Sequence, residues 1–120
     1  MRQVIVVCDH GISSRFYAEH LRREFDKLGE AADVMACGVF AKVPTEYDLK
    51  EAVAVITAYE EGQLEALKKK GLKDEYIAVW KAFFKRVKEA GKPVYTYYDY
   101  ETHVFNEPKA MAKKIMGSTD

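Results

Sequence analysis

Cys8 and the short polar stretch after it carry the groups needed for chemistry on a bound anion. Cys8 ends an apolar run, and the helical pattern beyond the polar stretch starts at Arg15. A loop between a strand and a helix N-terminus can direct backbone N–H groups and the helix dipole at one anion. A cysteine in that positive field ionises more readily than a free thiol and becomes a nucleophile. We therefore predict a phosphate-binding loop beside Cys8, formed by Asp9, His10, Gly11, Ile12, Ser13 and Ser14.

Hydrolysis of a phosphomonoester by such a thiolate requires three further groups. Arg15 can hold the phosphate oxygens through two parallel hydrogen bonds. Ser13 or Ser14 can stabilise the thiolate when it leaves, and one of these serines is also expected to cap the following helix. Asp99 can protonate the leaving alcohol. We predict Cys8, Arg15 and Asp99 as the catalytic residues.

The hydrophobic pattern of the chain predicts alternating strands and helices. Apolar runs predict strands at 4–8, 32–37, 52–57 and 94–98, and 3.6-residue periodicity predicts helices at 15–28, 60–70, 74–89 and 108–116. The alternation indicates an α/β fold, a three-layer αβα arrangement around a four-stranded parallel sheet. We predict one domain over residues 1–117, with a flexible C-terminal tail at 118–120.

Ligands of parallel sheets bind beyond the carboxyl ends of the strands. Cys8 and Asp99 follow two of these ends and are therefore expected at the same edge of the sheet. Tyr98 and Tyr100 flank Asp99 and are predicted to wall an aromatic pocket beside the loop. Cys37 also stands at a strand end, where it could act as a resolving thiol for Cys8 in redox chemistry.

The composition excludes several classes of function. The 120 residues carry 19 basic and 19 acidic side chains and have a zero net charge, which argues against a nucleic-acid binder. An uncharged apolar run of about 18 residues, as a membrane span requires, is missing from the sequence. The two cysteines lack zinc-site spacing, so we expect no metal or cofactor and reduced thiols in the cytoplasm. A charged fraction of 32% is typical of a thermophile.

The stretch from Val6 to Glu19 resembles the loop and first helix of low-molecular-weight protein tyrosine phosphatases, which read V-C-x-G-N-x-C-R-S-P-x-A-E. Cys8 falls on the family's nucleophile, Ser14 on its arginine and Arg15 on the following serine. The spacing from cysteine to arginine is therefore one residue longer here. The resemblance implies the fold of that superfamily and hydrolysis through a phosphocysteine. The family's Asp-Pro pair is replaced, because Asp99 is followed by Tyr100.

The segment from Cys8 to Ser14 is also similar, without a shift, to the C-x-x-G-x-S-T/S loop of lactose/cellobiose IIB phosphocarriers. That resemblance implies a carrier that hands phosphate on and needs neither a loop arginine nor an acid. The displaced arginine motivates a further alternative, a phosphate- or anion-binding domain without turnover. The expected partner is a phosphorylated small molecule or a phosphoprotein, with no nucleic acid and no membrane, and the oligomeric state stays open.

Overall fold

A computed structural model describes residues 2–119 of the chain. Its strands are β1 (Arg2–Cys8), β2 (Ala32–Gly38), β3 (Ala52–Thr57), β4 (Val94–Thr96), β5 (Tyr98–Asp99) and β6 (Val104–Phe105). Its helices are α1 (Ser13–Lys27), α2 (Glu46–Glu51), α3 (Leu64–Lys68), α4 (Asp74–Glu89) and α5 (Pro108–Thr119), and a short 3-10 turn (Glu61–Gln63) precedes α3.

The first four strands form a parallel sheet in the order β2-β1-β3-β4. The β-branched run of β1 lies in the middle of the sheet, where its last five residues are buried. Such an uninterrupted apolar run is typical of a parallel strand that is covered on both faces. The α/β fold with four parallel strands, which the alternation of elements predicts, is confirmed.

The helices cover the sheet in packed pairs. Helix α1 packs on β1 and β2 and against α5, which in turn reaches β3, while α3 packs against α4. The periodic apolar positions of α1 form its buried face, and the aromatic stripe of α4 lies in the core. Burial of each large apolar side chain contributes about 1.5–3 kcal/mol relative to an exposed one. No helix within residues 2–119 combines the length and apolar character needed to cross a membrane.

The fourth strand is shorter than the sequence predicts. Strand β4 ends at Thr96, because its partner β3 ends at Thr57 and offers no further ladder. The chain then turns through Tyr97 into a small antiparallel hairpin of β5 and β6, which the sequence does not predict. At the C-terminus, α5 continues to Thr119 and so includes the first two residues of the predicted tail. The last residue of that tail, Asp120, lies outside the described residues.

Gly38 lets two loops approach at the carboxyl edge of the sheet. It is paired with Cys8 at the end of the β1–β2 ladder. A Cβ atom at this position would lie 2.7 Å from the Ala41 carbonyl oxygen and 2.8 Å from both the Asp9 carbonyl oxygen and the Gly11 amide nitrogen. All three neighbours are backbone atoms, so a side chain here forces the loop after β1 to move.

We expect Gly38→Ala to destabilise the protein by about 1–3 kcal/mol, the usual cost of overpacking, and to lower its melting temperature by several degrees. Gly62→Ala is the matched control, because a Cβ atom there meets nothing within 4 Å. Thermal unfolding followed by circular dichroism measures both variants. Equal melting temperatures for the two variants would contradict the close approach at Gly38.

Candidate functional site

The sulfur of Cys8 lies where the amides of the following loop converge. Cys8 ends β1 and is 6% exposed. The Gly11 amide donates a hydrogen bond to its Sγ at 3.1 Å, and the Ser14 amide donates another at 3.5 Å. The loop reaches this geometry through a φ of +81° at Gly11, a conformation that favours glycine. The sulfur thus accepts hydrogen bonds from two backbone amides of the loop.

The two loop serines have separate hydrogen-bond partners. The Ser14 Oγ lies 3.3 Å from the Cys8 Sγ, which donates to it in the thiol form, and itself donates to the Cys37 carbonyl oxygen at 3.0 Å. The Ser13 Oγ lies 2.6 Å from the hydroxyl of Tyr97. Helix α1 begins at Ser13 after Ile12, without a side-chain capping bond. The expectation that a serine caps this helix is therefore wrong, because both hydroxyls are engaged elsewhere.

The two thiols of the chain differ in acidity. Burial alone raises the pKa of Cys8, but the hydroxyl and amide of Ser14, the hydroxyl of Ser13 and the amide of Gly11 outweigh it and bring the pKa below its ordinary value. Burial, aided by the charge of Asp48, raises the pKa of Cys37 to about 11. Because thiolates rather than thiols are nucleophiles, the pKa shifts favour Cys8 over Cys37 as the reactive cysteine. The resolving role of Cys37 stays a prediction.

A half-open cleft of about 190 Å³ lies against Cys8. Tyr100, predicted as a pocket wall, lines this cleft. Tyr98 does not line it. Its ring packs edge-on against that of Tyr100, with 4.5 Å between the centroids, and its hydroxyl forms a hydrogen bond with His103. The full lining consists of Cys8, Asp9, His10, Ile12, Ser13, Ala58, Tyr59 and Tyr100.

The Asp9 side chain ties the loop to two other elements. Its Oδ1 accepts a hydrogen bond from the Trp80 indole N–H of α4 at 2.7 Å, and its Oδ2 accepts one from the Tyr59 hydroxyl at 3.0 Å. Both oxygens of the carboxylate are therefore held by donors. The arrangement fixes the start of the loop and also places a negative charge at the cleft.

The His10 ring is directed toward neighbouring aromatic rings. Its centroid lies 5.4 Å from that of Phe40 and 6.3 Å from that of Tyr76. The residue is exposed, and it also borders the cleft beside Cys8. His10 can therefore meet a ligand at the rim of the cleft.

The side chain of Arg15 lies largely in solvent. It is 75% exposed, and its Nε lies 3.8 Å from a carboxylate oxygen of Glu19, one helical turn further on. It does not line the cleft. The role of Arg15 in holding phosphate stays a prediction, and it requires this side chain to turn.

Asp99 is held by its own turn. Its Oδ1 accepts hydrogen bonds from the amides of Glu101 at 2.8 Å and Thr102 at 3.4 Å. These amide bonds lower the pKa of Asp99, whereas a general acid requires a raised pKa. The acid role of Asp99 stays a prediction, and it requires the carboxyl group to leave both amides.

Three residues of the site are missing from the sequence prediction. Tyr59 follows the end of β3, so the rule that ligands bind at carboxyl ends could have found it. Trp80 lies on the apolar stripe of α4 and reads as core. The sequence predicts Tyr97 as a packed strand residue. It is indeed 1% exposed, but its hydroxyl reaches the loop.

Comparison with known proteins supports the fold alone. No known family model matches the chain, and no curated protein matches it in sequence. Among solved structures, the chain is similar to a mutant of YwlE from Bacillus subtilis, with a TM-score of 0.54 and 13% identity, over 98% of this chain and 93% of that one. YwlE is a low-molecular-weight protein tyrosine phosphatase. The fold that the sequence resemblance implies is therefore confirmed: this chain has the low-molecular-weight phosphatase fold.

We expect Cys8 to be alkylated by iodoacetamide with a half-point on the pH scale below that of a free thiol, because its pKa is lowered. Cys37 should react slowly until the protein is unfolded, because its pKa is raised to about 11. The variants Cys37→Ser and Cys8→Ser isolate each thiol, and intact-mass spectrometry across a pH series measures both rates. Faster reaction of Cys37 in the native protein would contradict this assignment.

Proposed function

We propose that the chain is a cysteine-dependent phosphatase-like protein that binds a phosphate group in the loop from Cys8 to Arg15. It hydrolyses phosphomonoesters of small molecules or phosphoproteins in the cytoplasm, through a phosphocysteine. The observation that carries the proposal is the convergence of the Gly11 and Ser14 amides on the Cys8 sulfur at an open cleft.

The proposed reaction has two steps. The Cys8 thiolate attacks phosphorus, so that an S–P bond forms, the P–O bond to the alcohol breaks, and the alcohol oxygen takes a proton. The loop amides stabilise the negative charge that develops on the phosphoryl oxygens. Water then attacks phosphorus, the S–P bond breaks, and Cys8 leaves as a thiolate with phosphate as the product. Asp99 is the proposed proton donor once its carboxyl group is released from its turn.

Arg15 is proposed to turn toward the bound phosphate. An exposed ion pair such as that with Glu19 contributes only about 0–1 kcal/mol. A charge-assisted, two-fold hydrogen bond to phosphate is worth more, about 1.5–3 kcal/mol. The pair with Glu19 therefore does not prevent the side chain from moving to the ligand.

We expect Cys8→Ser to abolish hydrolysis of p-nitrophenyl phosphate, because a serine hydroxyl in this loop is a far weaker nucleophile than a thiolate. Cys37→Ser is the matched control and should keep wild-type turnover. Release of p-nitrophenolate gives the rate, and acid quenching followed by intact-mass analysis detects the phosphocysteine. Full activity in Cys8→Ser would overturn the mechanism.

We expect Arg15→Ala to lower kcat for the same substrate by roughly 10²-fold, in line with the loss of one donor to the transition state. Arg23→Ala removes an exposed arginine further along the same helix and should leave kcat unchanged. The kinetics of both purified variants test the prediction. If Arg15→Ala equals wild type, Arg15 does not hold the phosphate.

A second candidate function is favoured by one observation: Ser14 rather than an arginine contacts the sulfur, while Arg15 is paired with Glu19. A loop that relies on amides alone fits a phosphate-binding domain without turnover, or a IIB-type carrier. The binding domain retains affinity for inorganic phosphate in calorimetry and shows no hydrolysis. The carrier forms a stable phosphocysteine from a phosphorylated partner. Clear turnover of an aryl phosphate rejects both.

A further inference from the structure

The hydroxyl of Tyr97 lies buried behind the loop, at the point where β4 has lost its partner strand. Tyr97 is 1% exposed, and its backbone amide donates to the Thr57 carbonyl oxygen at 3.0 Å. Its ring stacks on Tyr17 of α1 with 4.7 Å between the centroids. Both contacts fix the ring, so the position of its hydroxyl is determined by the fold.

Among the described residues, the Ser13 Oγ is the partner of this hydroxyl, at 2.6 Å. Ser13 borders the same cleft as Cys8. A thiolate can only accept hydrogen bonds, whereas each hydroxyl donates one proton and can accept another. The Ser13 hydroxyl is also among the groups that lower the pKa of Cys8. If Ser13 gives its proton to the ionised sulfur, Tyr97 must be the donor in the hydrogen bond between the two hydroxyls.

We propose that Tyr97 is a positioning residue for Cys8, which acts by donating its hydroxyl proton to the Ser13 Oγ and so directs the Ser13 hydroxyl at the thiolate. Hydrogen bonds in such a chain strengthen one another. Burial raises the pKa of Tyr97 well above its ordinary value, so the donor keeps its proton across the working pH range. The inference deepens the proposed function, since it concerns how that nucleophile is kept ionised.

Other titratable groups also lie around Cys8. They lie on the loop, on β2, after β3 and in the β5–β6 turn, and they are Asp9, His10, Cys37, Tyr59 and Tyr100. Cys37 is replaced by serine in every variant below, and the other four residues are left unchanged in all of them. A difference between variants therefore reports the Tyr97 hydroxyl and not these groups.

The test measures alkylation of Cys8 across a pH series, with Cys37→Ser as the common background. Tyr97→Phe removes only the hydroxyl, and we expect the half-point to rise by about half to one pH unit, a roughly three- to tenfold loss of thiolate below the half-point. Tyr17→Phe is the matched control. It removes a buried hydroxyl from the same ring stack, one that donates to the Asn106 carbonyl oxygen, and should leave the half-point unchanged.

Ser13→Ala provides the second variant, at an exposed position where the shorter side chain leaves no cavity in the core. Ser13→Ala by itself should raise the alkylation half-point of Cys8. Adding Tyr97→Phe to it should cause no further shift, because Tyr97 acts through Ser13. An unchanged half-point in Tyr97→Phe or in Ser13→Ala overturns the inference, as does an additive shift in the double variant.

The alkylation assay does not depend on turnover, so the two proposals fail separately. If wild type hydrolyses no phosphate ester, the proposed function falls while the half-points still decide the role of Tyr97. If wild type is active, the acidic limb of its profile of kcat/KM against pH should move upward in Tyr97→Phe by the same amount as the alkylation half-point. An unchanged acidic limb in Tyr97→Phe would overturn the role of Tyr97 and leave the proposed function standing.

Discussion

The hydrogen bonds from the Gly11 and Ser14 amides to the Cys8 sulfur constrain much of the surrounding structure. For these amides to reach a residue at the end of β1, the chain must reverse direction before α1 begins, which the positive φ of Gly11 allows. The reversed loop then lies against the end of β2, where Gly38 leaves no room for a side chain. Asp9 ties it to α4 and to the segment after β3. The geometry of one sulfur thus depends on contacts with three separate parts of the fold.

The comparison of Cys8 with Cys37 separates the effect of burial from that of the amides. Both cysteines are buried at the carboxyl edge of the sheet, on neighbouring strands. Burial opposes ionisation of both, but only Cys8 is followed by a loop that returns its amides to the sulfur. The pKa of Cys8 therefore falls and that of Cys37 rises to about 11. The difference in pKa follows from the hydroxyl and amide donors around the Cys8 sulfur and not from solvent access.

The sequence predicts the features that depend on neighbouring residues. The β-branched run before Cys8, the periodicity of α1 and the small residues of the loop specify β1, the loop and the order of the elements. Contacts between distant residues escape this reasoning: Asp9 meets Trp80 across 71 positions and Ser13 meets Tyr97 across 84. The strand ends predict one edge of the sheet for Cys8 and Asp99. The directions of the Arg15 and Asp99 side chains are set locally, by Glu19 one turn away and by the amides of a tight turn.

The one-residue shift between serine and arginine changes the electrostatics of the site more than its shape. Ser14 supplies a neutral hydroxyl near the sulfur, and none of the described residues lining the cleft carries a fixed positive charge. A phosphate dianion entering the cleft also meets the carboxylate of Asp9, whose negative charge repels it. The amides can offset that repulsion in a ground-state complex. The extra charge that develops in the transition state requires a cation, and Arg15 is the first arginine after the loop. Whether the loop hydrolyses phosphate esters or only binds phosphate therefore depends on whether Arg15 exchanges Glu19 for the ligand.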